Sequence, residues 1–85
     1  MVDKLSVNIK VLSLNVEHNF LIPFEMSVLD ATVLIQNAIS EEYPGIKRSK
    51  LQAGALMQAS TGKVLNSGCN FKQLGITHGE KLLLI

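Results

Sequence analysis

The sequence predicts an α+β fold in which a mixed sheet carries one helix on one face. Three observations point there. Two early segments alternate apolar and polar residues with period two. A later segment repeats apolar residues at helical spacing behind a serine. The chain closes on a short aliphatic run. The resulting element order is β-β-α-β-β-turn-β.

The first segment, 5–12, sets Leu5, Val7, Ile9 and Val11 on one face and Ser6, Asn8 and Lys10 on the other. Strict alternation with β-branched residues reads as a half-buried strand. Ser13, Leu14 and Asn15 reverse the chain. A second run then puts Val16, His18, Phe20 and Ile22 on one face, with Glu17 and Asn19 opposite. The two runs are expected to pair as a hairpin. Pro23 ends the ladder because it has no N–H to donate.

Ser27 is a good N-cap, and Asp30 three residues later makes Ser27-Val28-Leu29-Asp30 a capping box with a short acid. Val28, Ala31, Ile35, Ala38 and Ile39 form the expected inward stripe, and Thr32, Gln36, Asn37 and Ser40 the polar back. Glu41 and Glu42 oppose the helix dipole, so fraying is expected there. Pro44-Gly45 stops the helix, which is placed at 28–43.

A strand is expected over 51–59, with Leu51, Ala53, Ala55 and Met57 inward, although Gly54 and the alanines leave its register open. Thr61-Gly62 turns the chain into a short returning strand, Lys63-Val64-Leu65. After a loop, Phe71-Lys72-Gln73-Leu74 reads as one tight helical turn closed by Gly75. Thr77-His78-Gly79-Glu80 is a hairpin-type turn, with Gly79 suited to positive φ. Residues 81–85 form the last strand. It is buried best at the centre of the sheet, parallel to the first strand, and the long connection permits that pairing. One apolar helix stripe then packs on one face of the sheet. This is the β-grasp architecture.

Composition bounds the function classes. The 85 residues fit one domain, with 47% hydrophobic and 18% charged residues, as expected of a folded globular chain. Net charge of +1 shows no electrostatic footprint for nucleic acid. The densest basic stretch, Lys47, Arg48 and Lys50, reads as a solvated loop rather than a dock for an acidic partner. The single cysteine, Cys69, rules out an internal disulfide and fits a reducing compartment. Polar residues interrupt the N-terminal stretch where a signal peptide would be apolar, and no run of about 18 apolar residues exists. A cytoplasmic protein without membrane insertion is expected.

The capped helix after the first hairpin and the run Leu74-Gly75-Ile76-Thr77-His78-Gly79-Glu80-Lys81-Leu82 resemble ubiquitin-like domains. Lys63-Val64-Leu65-Asn66-Ser67-Gly68, then Phe71 and that closing run, are similar to the second half of the bacterial YukD/EsaB family. These are small ubiquitin-like proteins of type VII secretion systems. The resemblance spans roughly residues 4–85. It implies an accessory or regulatory component, recruited to the inner face of the membrane by membrane-bound secretion components. It also implies no role as a protein modifier. Conjugated ubiquitins and sulfur carriers extend past the last strand into a mobile Gly-Gly tail that is adenylated. This sequence ends at Ile85 and has no Gly-Gly pair, so neither conjugation nor sulfur transfer is expected.

Side chains with chemical potential have plainer readings. His18 reads as a partly buried histidine at a sheet end and His78 as a turn residue, and no ligand spacing joins them. Cys69 has no base partner in view. Ser60-Thr61-Gly62-Lys63 departs from a phosphate loop because Val64 stands where Ser or Thr is required. Glu41 and Glu42 read as exposed neighbours. No nucleophile, base and oxyanion donors assemble, so the expectation is a non-enzyme without cofactor or metal.

Surplus apolar surface is more informative. With Leu82 and Leu84 towards the helix, Leu83 and Ile85 face the opposite side, and Leu56 is expected to join them there. These three are the candidate protein-binding residues. Leu29 and Val33 lie off the inward stripe of the helix and form a second candidate patch. Isolated exposed apolar residues are also normal. Other readings are an unrelated β-grasp adaptor, a permanent structural subunit, and an acyl or sulfur carrier, the last disfavoured by the missing tail.

Overall fold

A computed structural model of the chain describes residues 4–45 and 54–85. Strands β1 (Lys4–Val11) and β2 (Val16–Pro23) form the predicted hairpin. Asn15 takes the left-handed conformation at the turn, with φ 54°. Asparagine tolerates this conformation better than most residues. Helix α1 spans Val28–Glu42, followed by β3 (Leu56–Gln58) and β4 (Glu80–Leu84). The sheet order is β2-β1-β4-β3. β4 lies parallel to β1, with Ile9 opposite Leu82, and antiparallel to β3. The aliphatic closing strand therefore takes the central position that buries it on both flanks.

The core lies between the sheet and α1. Leu5, Val7, Ile9, Val11 and Ile22 from the hairpin meet Leu82, Leu84 and Leu56, and Val28, Ala31, Ile35 and Ile39 cover them from the helix. Phe71 is fully buried and is the largest such side chain. Leu65 and Ile76 complete the cluster.

The helix N-terminus is closed by both local and distant groups. Ser27 Oγ accepts from Asp30 N at 3.1 Å. Val28 N donates to Cys69 O at 2.8 Å and Leu29 N to Ser67 O at 3.1 Å, so the 66–70 loop satisfies N–H groups that the helix cannot. Asn70 and Gln73 exchange two bonds, at 2.9 and 2.8 Å, and start the turn after that loop. It ends as a Schellman motif: Ile76 N donates to Phe71 O, Gly75 N donates to Lys72 O, and Gly75 has φ 69°.

Four expectations need correction. Thr32 is buried, because its Oγ1 donates to Val28 O at 2.7 Å and needs no water. Ala38 is only partly buried and borders a hollow beside β2. The helix is regular through Glu42, with Tyr43 N donating to Ile39 O, where fraying was expected. The returning strand at 63–65 is reduced to one bridge, Met57 to Val64. Of the expected 51–59 strand, Leu51 and Ala53 lie outside the described residues.

Candidate protein-binding surface

Backbone register assigns every residue of the open sheet face. Leu56 pairs with Leu84, Met57 with Leu83, and Leu83 is flanked on its other side by Lys10. Leu84 points to the helix and is 3% exposed, so its partner Leu56 points there too and is fully buried. Leu56 is therefore a core residue and is corrected out of the candidate surface. The expected register of β3 is shifted by one, and a one-residue shift exchanges the two faces. Met57 takes the place assigned to Leu56.

Leu83 sits partly exposed on the open face, and Ile85 is 46% exposed. The ladder runs one residue past β4. Leu12 N donates to Leu84 O at 3.1 Å, and Ala55 and Ile85 exchange bonds of 3.1 and 2.9 Å. Leu12, Ile85 and Ala55 thus form a row two residues beyond Lys10, Leu83 and Met57. Val64 bridges to Met57 and is exposed at the rim. The result is an apolar corner of Leu12, Met57, Val64, Leu83 and Ile85. Sequence reasoning missed Leu12, Met57 and Val64. In the sequence Leu12 only ends the alternating run, and the other two depend on register.

Apart from Leu21, which is 65% exposed opposite Ser6 at the far end of the hairpin, the rest of the open face is polar. Asn8 donates to Asn19 across the hairpin at 3.1 Å. Lys81 Nζ meets Glu17 Oε1 at 2.9 Å. That hydrogen bond and the Lys81 charge hold the Glu17 carboxyl below the ordinary glutamate range, with a smaller contribution from Lys10.

On the helix, Leu29 and Val33 are exposed as expected, one turn apart. Leu34 is exposed on a different side of the helix. The helix patch and the sheet corner lie on opposite faces of the molecule, so no single flat partner covers both.

The histidines sit in packing roles. His18 Nε2 lies 3.0 Å from Tyr43 Oη, with its ring edge-on to Phe20 and Tyr43. His78 Nδ1 accepts from Ser6 N at 3.2 Å, and its ring stands edge-on to Phe24. Gly79, at φ 80°, donates to Ser6 O at 2.7 Å beside it. Cys69 is half-buried, and its carbonyl serves the helix start. Among the described residues no group of three or more His, Cys, Asp or Glu side chains could hold a metal ion, and no helix is long and apolar enough to cross a membrane.

The backbone arrangement matches known structures. The EccD5 ubiquitin-like domain from Mycobacterium xenopi superposes with a TM-score of 0.78, covering 99% of this chain and 94% of that one at 14% identity. The fold is ubiquitin-like. A protein designed on ubiquitin matches with a TM-score of 0.68 over 100% of this chain and 90% of its own, at 13% identity. The ubiquitin-like domain of Plasmodium falciparum Dsk2 matches at 0.62, over 96% and 99%, at 20% identity. At these identities the likeness establishes the ubiquitin-like fold alone. No protein-family model matches the chain, and no curated protein does.

Proposed function

We propose that this ubiquitin-like domain is a non-catalytic protein-binding module, an accessory component of a bacterial type VII-like secretion system. It works in the cytoplasm and meets membrane-bound secretion components at the inner face of the membrane. The observation that carries the binding role is the apolar corner of Leu12, Met57, Val64, Leu83 and Ile85 on a sheet face that is polar apart from Leu21 at the far end of the hairpin. A contiguous apolar patch with a polar surround is the usual form of a protein contact. The lysines at its border, Lys10 and Lys63, suit a partner with acidic residues around an apolar centre. The secretion assignment is supported by the resemblance of the closing run 74–82. The fold match to the EccD5 ubiquitin-like domain from Mycobacterium xenopi agrees with it.

In-cell crosslinking of the tagged protein, beside its Leu83→Lys variant, tests this reading. Capture of secretion-apparatus membrane components by the wild type, lost in a folded variant, supports it. Equal capture by both proteins removes the apolar corner from the contact. An adenylating enzyme, or a thioester at the chain terminus, would move the protein to the carrier class.

A further inference from the structure

Among the described residues, charge divides by face. The open sheet face carries Lys10 and Lys81, with Lys63 at its rim, and its Glu17 is paired with Lys81. Helix α1 is the reverse. Its charged residues are Asp30, Glu41 and Glu42, all exposed, and it holds no Lys or Arg.

Exposed apolar side chains stand among these acids. Leu29, Val33 and Leu34 are 57, 47 and 38% exposed. Val28, Ala31, Ile35 and Ile39 already give the helix its buried stripe, so packing on the sheet does not need them. At about 100° per residue, Leu29 and Val33 form one row along the helix, and Asp30 and Leu34 form the next. Asp30 follows Leu29 directly and lies one turn before both Val33 and Leu34. Its carboxylate is thus set between three exposed aliphatic side chains.

That carboxylate has no task in the fold. In a full capping box the acid reaches back to the N-cap backbone. Here only half of the exchange forms. Ser27 Oγ accepts from Asp30 N, but the Asp30 carboxylate bonds no described residue. Aspartate is one methylene shorter than the usual glutamate, and the 66–70 loop already bonds the Val28 and Leu29 N–H groups. An unbonded acid inside an apolar patch suits a cation that arrives with its own apolar surround.

The shape of the surface narrows the occupant further. The backbone groups of a helix interior are bonded within the helix, so this face offers side chains alone. Two neighbouring i, i+4 rows leave a groove that takes such a row of a second helix, crossing at about 50°. We propose that the outer face of α1 docks an amphipathic helix of another protein, one whose aliphatic ridge carries an arginine. Leu29, Val33 and Leu34 make the apolar contact, and Asp30 accepts from the guanidinium. The Leu29–Val33 row runs on through Asn37 to Glu41, which extends the negative charge along the docked helix. A second copy of this chain fits poorly, because its α1 brings acids and no cation to meet Asp30. The surface is separate from the apolar corner of the sheet and stands independently of it. With both occupied, the domain bridges two proteins.

The test is an NMR titration of the ¹⁵N-labelled protein with a synthetic helical peptide of alanine and glutamine. It is about 20 residues long, enough to hold a helix in water. One face carries leucines at i, i+4 spacing with a single arginine among them, and a second peptide has glutamate in place of that arginine. The arginine peptide is expected to shift the resonances of Leu29, Asp30, Val33, Leu34 and Asn37, and to bind more tightly than the glutamate peptide. Asp30→Asn should weaken the arginine peptide roughly three- to fivefold. Asp30→Arg should reverse the preference between the two peptides, and its helix should start at the same residue because the backbone N–H to Ser27 Oγ is kept. Leu83→Lys protein should bind as well as wild type. The proposal is overturned if wild type binds both peptides equally, if shifts fall only on Lys10, Met57 and Leu83, or if none appear at millimolar peptide. Shifts of Leu29 and Val33 that follow the concentration of the protein alone would also overturn it, by making a second copy the occupant.

Discussion

Leu56 and Leu84 are antiparallel partners, and both point into the core beneath α1. Their neighbours Met57 and Leu83 are therefore partners on the opposite face. A single pairing thus separates the residues that hold the fold from those available to a partner. The two pairs should respond to mutation in opposite ways.

Leu56→Ala should destabilise the domain by about 2–5 kcal/mol, the usual cost of emptying a packed aliphatic site. That is a large share of the roughly 5–15 kcal/mol available to a domain. Leu83→Lys should cost about 1 kcal/mol or less and lose partner capture. Urea denaturation of both variants checks the split. Equal destabilisation would show that Leu83 is also part of the core.

Ser27→Ala removes the side-chain acceptor for Asp30 N. The expected loss is ~1 kcal/mol. The Val28 and Leu29 N–H groups keep their partners in the 66–70 loop, so the helix should start at the same residue. Amide exchange would show this as faster opening confined to Asp30 and its neighbours.

Gly75→Ala tests the Schellman turn by conformation alone. A Cβ at Gly75 meets nothing within 4 Å, but φ is 69°. The left-handed region costs a non-glycine residue about 1–2 kcal/mol, and this should appear as a lower urea midpoint with an unchanged slope. A much larger loss would mean that the turn rearranges and releases Phe71 from the core.

Glu17 carries the pH prediction. Its folded-state pKa lies below the unfolded value because Lys81 bonds and attracts the carboxylate. The pair's contribution is therefore present above the unfolded pKa and is lost as pH falls through the folded one. The side chain is about half exposed, so the effect should be small and weakened by salt. A ¹³C titration should place Glu17 below the ordinary glutamate value, and Lys81→Ala should return it towards that value. An unmoved Glu17 in that variant would rule out Lys81 as the cause.

Local patterns in the sequence were sufficient for much of this fold. Alternation at 5–11 and 16–22 set the hairpin and its inward face. Ser27, Asp30 and the stripe through Ile35 and Ile39 set the helix, and Gly75 and Gly79 marked the turns. In each case neighbouring residues compete only with solvent, so periodicity and backbone preference decide the outcome. Leu83 and Ile85 could be placed on the open face because Leu82 and Leu84 match the burial of a central strand.

Tertiary structure alone decided the rest. Around β3 both parities are apolar, since Ala55 and Met57 alternate with Gly54 and Leu56, so no periodic signal selects a face. The bonds between Ala55 and Ile85 make the choice, and they join segments about thirty residues apart in the sequence. Thr32 could enter the core only because a carbonyl one helical turn earlier accepts its hydroxyl proton. The edge position of β2 is equally invisible in sequence. An edge is defined by the strand that is missing beside it, and strand order is a property of the assembled sheet.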